Sequence, residues 1–246
     1  MKKYFQVSWS IKDLAIIASI TVILVLAAIL GIHFSGVKEL IEKSDYKIYY
    51  LSGLFLVQSL ILLLPLLIYT WKKHKLDTEN LGFTKIKPAR ALLEGLKGYL
   101  IYLLITYLII TLVIFTGIKI PGYQLQESIF EIFGTKTIEL IVTGIIVVII
   151  APVIEEVFFR GFLLRTVSDH IGLLAGNIVT AAVFAVFHLQ WQSIIPIFIL
   201  GLIMNQIVIK NRSIWPAIVF HVLNNGLAFL LQILVLKDII QIEKVI

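Results

Sequence analysis

Three small groups of polar residues interrupt otherwise apolar sequence. Glu155, Glu156 and Arg160 follow an Ile/Val run and Pro152; Phe184 and His188 close a second apolar run; His221, Asn224 and Asn225 break a third. A carboxylate and an imidazole that share one water can take its proton and make a nucleophile. Desolvation raises the pKa of an unpaired buried carboxyl group, which suits such a group to general-base work. A second imidazole and a side-chain amide can donate hydrogen bonds to the oxyanion formed when that water attacks a carbonyl. The reaction class these residue types point to is amide hydrolysis. It needs no covalent nucleophile, and the chain has no cysteine and no serine in a Gly-x-Ser-x-Gly setting.

Spacing separates the two acids. Successive helical residues point about 100° apart, so Glu155 and Glu156 are not expected to face the same groove. Glu156 and Arg160 are four apart with the acid first, the favourable order for an ion pair. Glu155 is left without that partner. His221 and Asn225 are also four apart and share a face, with Asn224 on the same side. Taken singly, each has a blander account: acids at a helix end in headgroup water, histidines hydrogen-bonded in a packed interior. The catalytic reading rests on three clusters on three helices, which must find partners in an apolar setting and find them most simply in one another. His33, His74 and His170 fall at span ends or in a basic loop and receive no role.

The elements that must position these groups are membrane helices. Hydrophobic residues make up 59% of the 246 and charged residues 15%, with a mean hydropathy of +1.00. That excludes a disordered chain, a collagen-like fibre and a soluble α/β enzyme. The absence of cysteine excludes disulfide frameworks, thiolate zinc sites and cysteine nucleophiles. Charge-free runs place spans at 14–32, 48–71, 98–118, a fourth beginning at 140–154, two more within 170–209 broken near Gln190-Trp191-Gln192-Ser193, and a last at 213–236. The fold class is all-α: a polytopic transmembrane helical bundle of about seven spans. Trp9, Trp71, Trp191 and Trp215 fall at or near span ends, where indoles favour the bilayer interface. Gly172 and Gly176 form a Gly-xxx-Gly opening the fifth span. The first span is too long and lacks a convincing cleavage site for a signal peptide, so it reads as a retained helix.

A bilayer of about 30 Å puts one constraint on this scheme. A fifth helix started near Asp169 carries His188 about 28 Å from its beginning, whereas a fourth helix ended at 154 leaves Glu155 at the opposite level. For the two to share a water, the fourth helix must continue to about Ser168 and the fifth must start later. An N-terminus inside the cell places 14 of the 21 basic residues on the cytoplasmic side, the orientation the positive-inside rule favours. The basic loop 72–97 then faces anionic lipid headgroups. It lacks the aromatic-interleaved basic array of a nucleic-acid site, and no nucleic-acid partner is expected. Pro88 with Leu92, Leu93 and Leu96 suggests a short interfacial helix, and 123–133 suggests another on the outer side.

Glu155-Glu156-x-x-x-Arg160, Phe184-x-x-x-His188 and His221-x-x-x-Asn225, in that order, resemble the three motifs of the CPBP (Abi) family of intramembrane proteases, which includes the type II CAAX prenyl endopeptidases and bacteriocin-processing or immunity proteins. The resemblance covers roughly residues 90–235, which reads as the protease domain. Residues 1–89 are then N-terminal helices with the basic loop, and 236–246 a tail. It implies that Glu155 and His188 activate water, that His221 and Asn225 stabilise the oxyanion, and that Glu156 and Arg160 support the site. It implies a membrane-associated peptide or protein substrate, but the ends of the chain differ in length from the CAAX enzymes, so their substrate does not carry over. The oligomeric state is not fixed by any of these features.

Such families are often called metalloproteases, and Glu155, His188 and His221 could serve as three zinc ligands. Three points weigh against zinc: His-Glu-x-x-His is absent, no second acid would be free as base, and no acceptor is evident to orient His188 or His221. No cofactor is therefore expected. Two rival classes compete with an enzyme. A proton-coupled transporter usually has broken helices in both halves, whereas here the buried polarity is all in the second. A non-catalytic immunity or regulatory scaffold need not keep every motif residue, and this chain keeps them all. The Ile- and Lys-rich composition suggests a bacterial plasma membrane.

Overall fold

Backbone polar groups in a bilayer must be satisfied within the protein, and apolar runs of this length do so as helices. The structure is a computed structural model that describes residues 2–36, 41, 44, 46–75, 77–117, 133–188 and 190–239. Among these no strand occurs. After a short N-terminal turn, α1 (Lys2–Phe5), come α2 (Ile11–Phe34), α3 (Lys47–His74), α4 (Pro88–Thr116), α5 (Thr137–Ile171), α6 (Leu173–Phe187), α7 (Ile194–Asn211) and α8 (Trp215–Leu236). Six of these are long and apolar enough to cross a membrane, α7 together with its preceding 3₁₀ turn, and α6 is a shorter apolar helix. The protein is a multi-pass membrane bundle of about seven spans.

Its outer surface supports that reading. Val22, Ile23 and Ile29 of α2 and Leu100, Leu104 and Leu108 of α4 are exposed, a continuous apolar face that water would not tolerate and lipid does. Inside, Phe159, Phe162, Phe184, Phe220 and Met204 are fully buried. Helix α5 lies at the centre, in contact with α2, α3, α6 and α8.

Most of the expected span edges hold, and the differences have local causes. The third span starts at Pro88, with no separate interfacial helix. Proline at the first helical position is preorganised for the turn, and nothing after it breaks the helix. Gly95 and Gly98 sit where a Cβ would meet Pro216 and Val219 of α8 and Ile207 of α7, so they bring α4 close to both. The fourth helix runs unbroken to Ile171, and α6 begins at Leu173. Gly172, at φ 88°, is the turn between them, so only Gly176 packs closely, against Ser168. The break near Gln190 is present as the 3₁₀ turn Trp191–Ser193. The outer segment expected at 123–133 lies outside the described residues except for Phe133.

Trp9 departs from the interface expectation. Trp71, Trp191 and Trp215 are exposed at helix ends, but Trp9 is buried, and its indole N–H donates to Thr166 Oγ1 at 2.6 Å. It belongs to a strap that ties residues 4–13 to the end of α5. The buried Arg165 guanidinium donates to the carbonyls of Tyr4, Glu79 and Asn80 and lies 4.6 Å over the Tyr4 ring. Burial pushes the Tyr4 hydroxyl up to about 12, against the pull of the Arg165 charge. Asp13 closes a capping box with Ser10 and also meets Tyr69, Lys73 (2.5 Å) and His74 (3.3 Å).

The basic loop is likewise pinned inward. Leu81 is buried with its carbonyl against Gly161, and Ile214 N–H donates to Gly82 O at 3.0 Å. Lys85, Lys87 and Arg90 remain exposed. A Cβ at Gly161 would lie 2.5 Å from Leu81 O. Because the obstacle is backbone, Gly161→Ala should force loop and helix apart at a cost of about 1–3 kcal/mol. Thermal unfolding of the purified variant checks this, and an unchanged midpoint would show that the contact is not tight.

Candidate active site

Glu155 lies near the middle of α5, about 27 Å along from Thr137 and 24 Å from Ile171 at 1.5 Å per residue. His188 closes α6 about 22 Å from Leu173. The two therefore meet at similar depth, which is what the lengthened fourth helix makes possible. His221 comes from the second turn of α8.

The charge pair forms as its spacing predicts. Arg160 Nη1 donates to Glu156 Oε1 at 2.8 Å, and both side chains are fully buried. A bare pair at this depth would be costly, and further partners share the load. Arg160 Nε donates to Asn205 Oδ1 at 3.0 Å, and Asn205 Nδ2 donates to Asn177 O at 3.0 Å. The guanidinium also sits 4.3 Å over the Phe184 ring. Asn205 was missed in the sequence reading, although a lone Asn-Gln pair in the long uncharged run was a signal for it. The run from 170 to 209 gave its polarity no reason to be there except a buried partner.

Glu156 does more than face Arg160. Its Oε1 also accepts from His221 Nδ1 at 2.9 Å, while His221 Nε2 lies 3.9 Å from Glu155 Oε2. The two acids, not expected to face the same groove, share this one neighbour. The imidazole lies between the two directions and presents one nitrogen to each. His188 is held in a similar way. At the end of α6 the His188 backbone N–H turns to Val186 O, and its ring Nδ1 donates to the Phe184 carbonyl at 2.8 Å. Nε2 of His188 is 3.7 Å from Glu155 Oε2. Phe184 packs against both rings, with centroids at 4.5 Å for His188 and 5.9 Å for His221.

A carbonyl and a carboxylate only accept, so each histidine carries its proton on Nδ1 and turns Nε2 toward Glu155. Glu155 Oε2 is buried without a hydrogen-bond partner. Glu155 and His188 are nonetheless about one-quarter exposed, unlike the sealed Glu156 and Arg160. The Asn225 Nδ2 donates to Val147 O at 3.0 Å, and its Oδ1 accepts from Asn224.

All three motifs fall within residues 137–227, which match the family model for type II CAAX prenyl endopeptidase Rce1-like proteins. Over those residues the chain is similar to that family. This agrees with the CPBP resemblance of the three motifs, and the matched family is of CAAX-protease type. The match begins with α5 and ends within α8, so the matched segment contains every residue of the cluster around Glu155. No curated protein matches the chain, and no solved structure does.

The geometry corrects one argument about metal. Both histidines of the matched segment do have an acceptor on Nδ1, namely the Phe184 carbonyl and the Glu156 carboxylate, and these are the partners that orient zinc-bound imidazoles. Glu155, His188 and His221 are thus chemically suitable donors, and an ion held by them would supply Lewis acidity toward a bound water. Among the described residues, however, no group of three or more His, Asp or Glu is drawn together to hold an ion as it stands.

Proposed function

We propose that the protein is an intramembrane endopeptidase that hydrolyses peptide bonds of membrane-associated peptides or proteins with a water activated by Glu155 and His188. The observation that carries this reading is the convergence of three acceptor atoms, Glu155 Oε2 with His188 Nε2 at 3.7 Å and His221 Nε2 at 3.9 Å. These separations are too long for direct hydrogen bonds and suit a shared water. The water donates to Glu155 and His188 and attacks the carbonyl carbon as its proton passes to Glu155. When protonated, His221 gives Nε2–H to the oxyanion while Glu156 holds its other nitrogen. The two acids, Arg160 and the imidazolium then sum to no net charge. Glu155 returns its proton to the leaving amine.

Comparing membrane peptides from cells making the wild type and Glu155→Ala tests this reading. Products present only with the wild type are expected, and identical peptide sets would overturn it. The distribution of basic residues supports a cytoplasmic N-terminus, and the composition supports a bacterial membrane.

We further propose that the reaction is metal-independent. If Glu155 ligated an ion, no acid would remain as base, because Glu156 is engaged by both Arg160 and His221. Purified, dialysed protein should keep its activity in strong chelators. Inhibition by chelator that added zinc reverses, with one zinc per chain by elemental analysis, would turn the same three residues into ligands.

A further inference from the structure

The backbone carbonyl of Val147 lacks the donor that would continue the π-helical series of its own helix. Through Ile145–Ile150, α5 is π-helical, and where that segment ends the Ala151 N–H donates to Ile146 O, five residues back. The next donor in that series would be residue 152, which is proline and has no N–H. At this depth neither water nor lipid replaces the missing bond. Asn225 on α8 replaces it, with Nδ2 3.0 Å from Val147 O. Asn224 Nδ2 holds the other end of the amide at 3.2 Å, which sets its orientation. Gly226 lets the helices approach here, since a Cβ on it would already touch Val148 at 3.4 Å.

We infer that Asn225 is a positioning residue, spanning the gap that Pro152 opens in α5 and so fixing the stretch that carries Glu155 against the helix that carries His221. A proline with an orphan carbonyl is where a helix bends. Glu155 follows that proline by three residues, and His221 precedes Asn225 by four. The bond therefore ties together the two segments whose side chains face each other at 3.9 Å. The inference rests on the proposed peptidase reading only for its activity arm.

The test is a cycle of Asn225→Ala and Pro152→Ala, with thermal unfolding of purified protein in detergent and cleavage of a peptide identified in the membrane-peptide comparison. In the chain with Pro152, Asn225→Ala should lower the unfolding midpoint by about 3–8 °C and kcat by about 100-fold, with KM little changed. Asn225→Leu, close in shape but with no donor, should behave alike. In the Pro152→Ala background the N–H of residue 152 can reach Val147 O. There, Asn225→Ala should move the midpoint by no more than about 1 °C and should cost no more than about threefold in kcat. Equal losses of stability in both backgrounds would overturn the inference, whether or not the chain cleaves anything. Equal losses of kcat with unequal losses of stability would overturn the positioning role and place the amide on the reacting atoms. If Asn225→Ala alone fails to accumulate, recovery in the double variant is the expected result, and failure there too overturns the inference.

Discussion

Glu155→Gln is expected to accumulate, insert and unfold like the wild type while cleaving nothing measurable. Glutamine keeps the shape and the acceptor oxygen, and among the described residues Glu155 makes no salt bridge to a guanidinium or ammonium; its near neighbours are the two imidazole Nε2 atoms. The variant loses only the ability to accept a proton. General-base catalysis is worth about 10²–10⁴-fold, so cleavage should fall by at least that range while abundance and thermal midpoint stay within error. Near-normal cleavage by a well-folded variant would remove Glu155 from the role of base. Glu156→Gln is the contrasting control, because that carboxylate holds Arg160 and His221 and its loss should lower stability as well as activity.

Arg160→Ala should fail chiefly by folding poorly. The guanidinium is fully buried and serves Glu156, Asn205 and the Phe184 ring together. Removing one member of a buried pair typically costs about 3–5 kcal/mol, because the remaining charge stays desolvated. For a chain of this size that corresponds to a fall of about 10 °C or more in the unfolding midpoint, with lower abundance in the membrane. Combining Glu156→Gln with Arg160→Met, which removes both charges, should recover much of the midpoint without restoring cleavage. A midpoint untouched by Arg160→Ala would mean that the pair carries no stability.

The fold was readable because bilayer helices leave a coarse record: long charge-free runs, and edges marked by Lys72 at one end and Gln190 to Ser193 at another. The pair Glu156 and Arg160 was readable too, since i,i+4 spacing is local. What the sequence did not disclose depends on contacts between helices. That His221 reaches both acids, and that carbonyls and carboxylates orient both Nδ1 atoms, follows from how α8 and the end of α6 meet α5. Asn205 needed the same knowledge. Trp9 misled because an indole at a chain end suits an interface and a buried Thr166 hydroxyl equally well. The bond that Asn225 makes was hidden because its partner is a backbone carbonyl, which no side-chain motif records.

Glu156 and Arg160 lie on one helix, and that has a consequence for the order in which the protein is made. The ribosome delivers α5 with its ion pair already able to close, so these two charges can leave the translocon neutralised by each other before α7 supplies Asn205. Glu155 makes no such salt bridge on its own helix; its imidazole neighbours arrive with the end of α6 and then with α8, the last of the described helices. Biosynthesis thus separates insertion from activation. A nascent chain can place the Glu156–Arg160 pair in the bilayer early, and the proposed hydrolytic centre is assembled only after α8 has docked.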